Sequence, residues 1–62
     1  MDTNELAALL RETESHHGDY EPTAPAHRWS DWYAAYIVAR QEGATPEDAI
    51  SRATAHVEAV LR

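Results

Sequence analysis

Three of the four histidines, both tryptophans and two of the three tyrosines fall between His16 and Tyr33. The segment reads His16-His17-Gly18-Asp19-Tyr20-Glu21, then His27-Arg28-Trp29-Ser30-Asp31-Trp32-Tyr33. Imidazoles transfer protons and bind metals, and Tyr and Trp carry a polar tip on a large apolar ring. Glu14 and His17 stand three apart, a spacing that puts both on one face of a helix and lets a carboxylate and an imidazole share a cation. Glu12 and His16 form a second pair at i, i+4. Four-helix di-metal proteins take a Glu-x-x-His from each of two helices. Here one chain supplies one such pair and a two-fold dimer would supply two. Asp31, Glu21 or His27 would complete the shell around a divalent metal. The plainer reading is that His16 and His17 end a helix and interact with its last carbonyls.

His27 and Asp31 flank Trp29, and a carboxylate beside an imidazole can orient it for general-base work. His16, His17 or His27 would be the base, with Tyr20 as the acid. No Ser or Cys is marked as a nucleophile, so a triad is unsupported. The alternative for His27 is a hydrogen bond to a loop carbonyl. Trp29, Trp32, Tyr33 and Tyr36 read first as core or dimer interface, because the chain has no Phe to fill a core. Each ring nevertheless carries an N–H or O–H that wants a partner when buried. The set therefore also suits a small polar aromatic ligand or a protein partner, and such rings concentrate binding energy at interfaces.

Three helices must position these residues. The first is expected over about 3–17, capped by Asp2 with Glu5 three residues on, and stopped by Gly18. Its inward stripe would be Leu6, Leu9, Leu10, Thr13 and His17. Residues 18–29 hold Gly18, Pro22 and Pro25 and read as a long ordered loop, anchored to the core by Tyr20 and Trp29. A second helix over about 31–42 would start at Ser30 as N-cap, with Asp31 in its first turn, and end at Gly43. Trp29, Trp32, Tyr33, Tyr36, Ile37 and Arg40 share one face. Thr45-Pro46-Glu47-Asp48 is a helix start of cap, first-turn proline and acids. The third helix, about 46–61, would bury Ala49, Ile50, Ala53, Val57, Val60 and Leu61, with His56 at the stripe's edge. Arg11, Arg40 and Arg52 read as solvated or paired with nearby acids. Glu12, Glu47, Asp48 and Glu58 read as solvent-face charges. No strand alternation persists. The expectation is one all-α domain of three helices, the last two an αα-hairpin.

Sixty-two residues bury only about 60% of the surface of the unfolded chain. Hydrophobic gain less ~1.5 kcal/mol of entropy per residue then comes out near zero. With no Cys there is no disulfide, so the missing stability is expected from a second copy of the chain. Eleven acids against five arginines give a net charge of −6. That surface repels phosphate backbones and anionic membranes, which argues against nucleic acid and membrane partners. The longest apolar run, Ala34 to Ala39, is too short to span a bilayer. The acidic N-terminus is unlike a signal peptide. A cytoplasmic protein is the expectation.

The pattern His16-His17-Gly18-x-Tyr20-Glu21, followed by His27-x-Trp29-x-Asp31-Trp32-Tyr33-Ala34-x-Tyr36, resembles a short bacterial segment of uncharacterised proteins. Some of these carry the name glyoxalase/bleomycin-resistance (vicinal oxygen chelate) protein because the segment follows such a domain. The resemblance covers most of residues 5–58, and Asp-Trp-Tyr-Ala-x-Tyr is its distinctive part. The glyoxalase-type fold is built of βαβββ units with metal ligands on strands, and nothing in this chain resembles those strands. No catalytic residue carries over. The resemblance implies a stand-alone version of a small accessory module. Together these readings favour a non-enzymatic binding or assembly module with no cofactor. Its rival is a metal- or acid–base-dependent enzyme, or a resistance-type ligand binder, with its site at His16, His17, Tyr20, Glu21, His27 and Asp31.

Overall fold

The computed structural model describes all 62 residues and is all-α. Helix α1 spans Thr3–Tyr20, α2 Trp29–Gln41 and α3 Pro46–Val60, with a single 3₁₀ turn at Glu21–Thr23. No helix is long and apolar enough to cross a membrane. Helix α2 is the central element, and α1 and α3 both pack on it.

Local chemistry sets most boundaries. Asp2 has extended backbone and its carboxylate accepts from Glu5 N at 2.7 Å, satisfying one of the orphan amides at the start of α1. At the end of α2, Gly43 takes φ 97°, a conformation a Cβ disfavours. Its N–H bonds Arg40 O at 3.1 Å and Ala44 N bonds Ala39 O at 3.0 Å, which is the Schellman closure. Ala44 is buried beneath it. Thr45 then accepts from Asp48 N at 3.2 Å and Pro46 occupies the first turn of α3. The last two helices form the expected hairpin.

Two boundaries differ from the sequence reading. Gly18 does not stop α1, which continues to Tyr20. The extra turn carries the Tyr20 ring onto Trp32, with centroids 5.6 Å apart and planes 21° from parallel. Stacking of that ring outweighs the small helical penalty of one exposed glycine. The chain leaves the helix only where Pro22 enters the 3₁₀ turn and Pro25 forces Ala24 to extended backbone. The loop is therefore 21–28. Nor does Ser30 cap α2. Arg28 is the extended cap residue without a side-chain bond, and Ser30 already lies inside the first turn. Asp31 in that turn supplies the negative charge that the helix start favours.

The core is small, with nine buried residues. Trp32, Tyr36, Ala39, Ala44, Ala49, Ala53 and Val57 are its apolar members, and Thr13 and His17 its polar ones. Several expected core residues are instead exposed. Leu6 and Leu10 lie beside the line along which α1 meets α2, and Val60 and Leu61 end α3 where nothing covers them. Trp29, expected to anchor the loop, is 62% exposed.

Candidate functional site

The chemistry-bearing residues gather at the junction of α1, the 21–28 loop and α2. His17 projects from α1 into the centre of the group. Its ring lies 5.5 Å from Trp32, 5.3 Å from Tyr33 and 6.3 Å from Tyr20. His27 arrives from the loop and meets His17 edge-on, at 5.2 Å and 74°. Trp32 is sandwiched between Tyr20 and Tyr36, the second stack at 5.4 Å and 15°. His16 sits half-buried with its ring 5.7 Å from Tyr36.

Hydrogen bonds assign the tautomers. The Nδ1–H of His27 donates to Pro25 O at 2.7 Å, so the neutral ring presents Nε2 as an acceptor. His17 Nε2–H donates to that atom at 3.0 Å. The loop-carbonyl bond expected for His27 is present, and the ring's other nitrogen ties the loop to α1. Trp32 Nε1 donates to Thr54 at 3.4 Å, and Thr13 Oγ1 to Leu9 O at 2.6 Å. The Tyr20 hydroxyl is the buried side-chain atom left without a partner. Burial, with a smaller push from Glu58, raises its pKa. Burial likewise raises Tyr33, helped by Glu14 and Glu21.

A second polar group was not legible in the sequence. Glu12, read there as a solvent-face charge, accepts from Tyr36 Oη at 2.5 Å and from Arg40 Nε at 2.8 Å. Arg40 also donates to Ala44 O at 2.8 Å, which joins α1, α2 and the α2–α3 turn through one guanidinium. Hydrogen bonds from Arg40 first and Tyr36 second hold the Glu12 carboxyl below its ordinary range. Burial, reinforced by the bond to Glu12, pushes Tyr36 up to about 12. The bond to Glu12 also raises Arg40. The sequence puts Tyr36 and Arg40 on one face and leaves Arg40 solvated or paired with a nearby acid, without singling out Glu12 as that acid.

Of the residues singled out in the sequence, the fold brings together His17, Tyr20, His27, Trp32, Tyr33 and Tyr36. Glu14 and Glu21 are exposed and Asp31 half-buried. No group of three or more His, Asp or Glu side chains converges on a point that could hold a metal ion. His17 turns its Nε2 to His27.

The outer side of this junction is apolar and open. Trp29 meets Tyr33 edge-on at 4.9 Å. Together with Leu10 they line a hollow of about 380 Å³, with Arg11 and Glu14 completing it. Leu6 continues the apolar surface one turn along α1. A different hollow follows the α2–α3 seam past Val38, Arg52 and His56, where Arg52 pairs with Glu42 at 3.1 Å. Set against known proteins, the chain matches no family model, no curated protein and no solved structure.

Proposed function

We propose that this chain is an assembly module that pairs with a second copy of itself through the face formed by Leu6, Leu10, Trp29 and Tyr33. The observation that carries the reading is Trp29. It is the most exposed of the large hydrophobic side chains, at 62%, and it stands on a hollow walled by Leu10 and Tyr33. An aromatic ring of this size offers about 2–4 kcal/mol on losing its exposed area to an apolar partner. A fold with nine buried residues has need of that contribution.

The charge at the hollow does not oppose pairing of two copies. The chain carries −6 overall, yet this hollow is bordered by one arginine and one glutamate. Two-fold pairing repeats the same patch on both partners, so each contact occurs twice. With one Arg11 and one Glu14 on each copy's hollow, the paired patches bring no net charge into the interface. The stand-alone accessory module implied by the segment resemblance is the same kind of object. The His/Trp/Tyr cluster plays two parts in this reading. Trp32, Tyr36 and His17 are core within the chain, while Trp29 and Tyr33 are the docking surface.

Sedimentation equilibrium over a wide concentration range tests the proposal. The wild type should be a dimer that dissociates on dilution. Trp29→Ala should be monomeric at the same concentrations with unchanged helix content. A wild type that stays monomeric throughout, or a Trp29→Ala chain that dimerises equally well, overturns it.

A further inference from the structure

We infer that His17 and His27 form a two-histidine site for a late first-row transition-metal ion of the Zn²⁺, Ni²⁺ or Cu²⁺ class. This inference is independent of the dimer reading and rests on other residues.

The geometry between the rings carries it. The two Nε2 atoms face each other at 3.0 Å. A metal bound at about 2.0–2.1 Å to each of two imidazoles, at a tetrahedral angle, sets those nitrogens about 3.3–3.4 Å apart. To accept an ion in place of the shared hydrogen, the rings part by about 0.3–0.4 Å and each turns by about 35°, so that both lone pairs leave the line between the nitrogens and aim at an ion beside it. Histidine ligands commonly donate their second ring N–H to a backbone carbonyl, which orients the ring and fixes the metal-binding nitrogen. His27 already does so through Nδ1–H to Pro25 O at 2.7 Å. On ligation His17 moves its proton from Nε2 to Nδ1. Starting from two neutral rings, this step gains and loses no proton overall.

Of the pair His27 is the less buried, His17 being 6% exposed. His27 is half-buried and lines a hollow of about 380 Å³ shared with Arg28, Asp31 and Val57. No third His, Asp or Glu converges with the pair, so the remaining coordination positions belong to water or to an added ligand. A site of this kind ranks ions by their preference for imidazole nitrogen, with Cu²⁺ above Ni²⁺ and Zn²⁺. It excludes Ca²⁺ and Mg²⁺, which require oxygen ligands. Because His17 is on α1 and His27 on the loop, the ion fastens the 21–28 segment to the helix.

The test uses the tag-free full chain and the metal alone. Zn²⁺ is titrated against a chromophoric chelator, and long-range ¹H–¹⁵N spectra of the imidazoles are recorded in parallel. The expected result is one ion per chain, with the Nε2 resonances of His17 and His27 shifting together and those of His16 and His56 unmoved. His27→Gln should weaken binding about tenfold or more, whereas the double change His16→Gln, His56→Gln leaves it unchanged. Absence of saturable binding, shifts confined to His16 and His56, or unaltered affinity in His27→Gln would each overturn the site. Should His27→Gln lose its helical signal, the wild-type imidazole spectra alone decide.

Discussion

Helix α2 is packed from two sides by different means. Toward α3 it meets Ala49, Ala53 and Val57, all at or below 1% exposure. Small residues let the helices approach closely, and the Schellman closure at Gly43 with the Thr45 cap fixes the hairpin. Toward α1 it meets Glu12, Thr13, His16, His17 and Tyr20. Here the attachment is a set of directional bonds: Tyr36 and Arg40 to Glu12, and the imidazole of His17 to the loop. The contrast teaches where the molecule is tightly built and where it has something to spare. Close packing of alanines covers the middle of α3, and the exposed Val60 and Leu61 stand at its end. The hydrogen-bonded seam of α1 uses polar side chains for cohesion and leaves Leu6 and Leu10 uncovered.

The largest effect should come from disturbing shape on the hairpin side. Ala53→Leu forces extra methyl groups into a fully buried contact and should cost about 1–3 kcal/mol of global stability. Urea unfolding followed by circular dichroism would read it. A change below about 0.5 kcal/mol would mean that α2 and α3 are less closely fitted than described.

Glu12→Gln acts on the other side and should cost about 1 kcal/mol, less than a fully buried ion pair because the Glu12 side chain is 31% exposed. Amide exchange should accelerate in α1 and stay slow in α2 and α3. Equal acceleration in all three helices would erase the distinction between the two seams. The same pair has a pH signature. Folding holds the Glu12 carboxyl below its ordinary value of 4.5. Its contribution is therefore complete above pH 4.5 and is lost as pH falls through the lowered value. Tyr36 runs the opposite way. With its pKa raised from 10.0 to about 12, its contribution is complete below pH 10 and lost as pH rises toward 12. Thermal melts of wild type and Glu12→Gln across the acid range should converge as pH drops.

The smallest effect has the opposite sign. Gly18 is helical, exposed, and has nothing within 4 Å of where a Cβ would stand. Gly18→Ala should stabilise the chain by about 0.5–1 kcal/mol. The matching change Gly43→Ala should destabilise it, because φ 97° disfavours a side chain. If both changes had one sign, glycine's role at one of these helix ends would be misassigned.

These two glycines show what a sequence can and cannot disclose. Caps, first-turn proline and acids are local, so Asp2, Thr45-Pro46 and Gly43 could be read directly, and with them three helices and a hairpin. At Gly18 the same local rule fails, since the decision is made by Tyr20 stacking on Trp32, twelve residues away. Ser30 fails similarly, because the helix had already begun at Trp29. The aromatic face of α2 was legible from its period, with Trp32 and Tyr36 buried as expected. Periodicity tells which side of α1 is apolar but not how wide a strip α2 covers, so Leu6 and Leu10 share the inward stripe yet stay exposed. The His17–His27 bond and the Glu12 clamp join distant residues across a proline-containing loop, and nothing in their spacing specifies the pairing.

Isotope-filtered NOE spectroscopy on an equal mixture of ¹³C-labelled and unlabelled chains is the most direct test of the central claim, that the uncovered strip beside α1 pairs with its own copy. Intermolecular contacts should run from the Trp29 indole to the methyl groups of Leu6 and Leu10. Contacts running instead to Val38 and His56 on the α2–α3 seam, or none between chains at millimolar concentration, would contradict it.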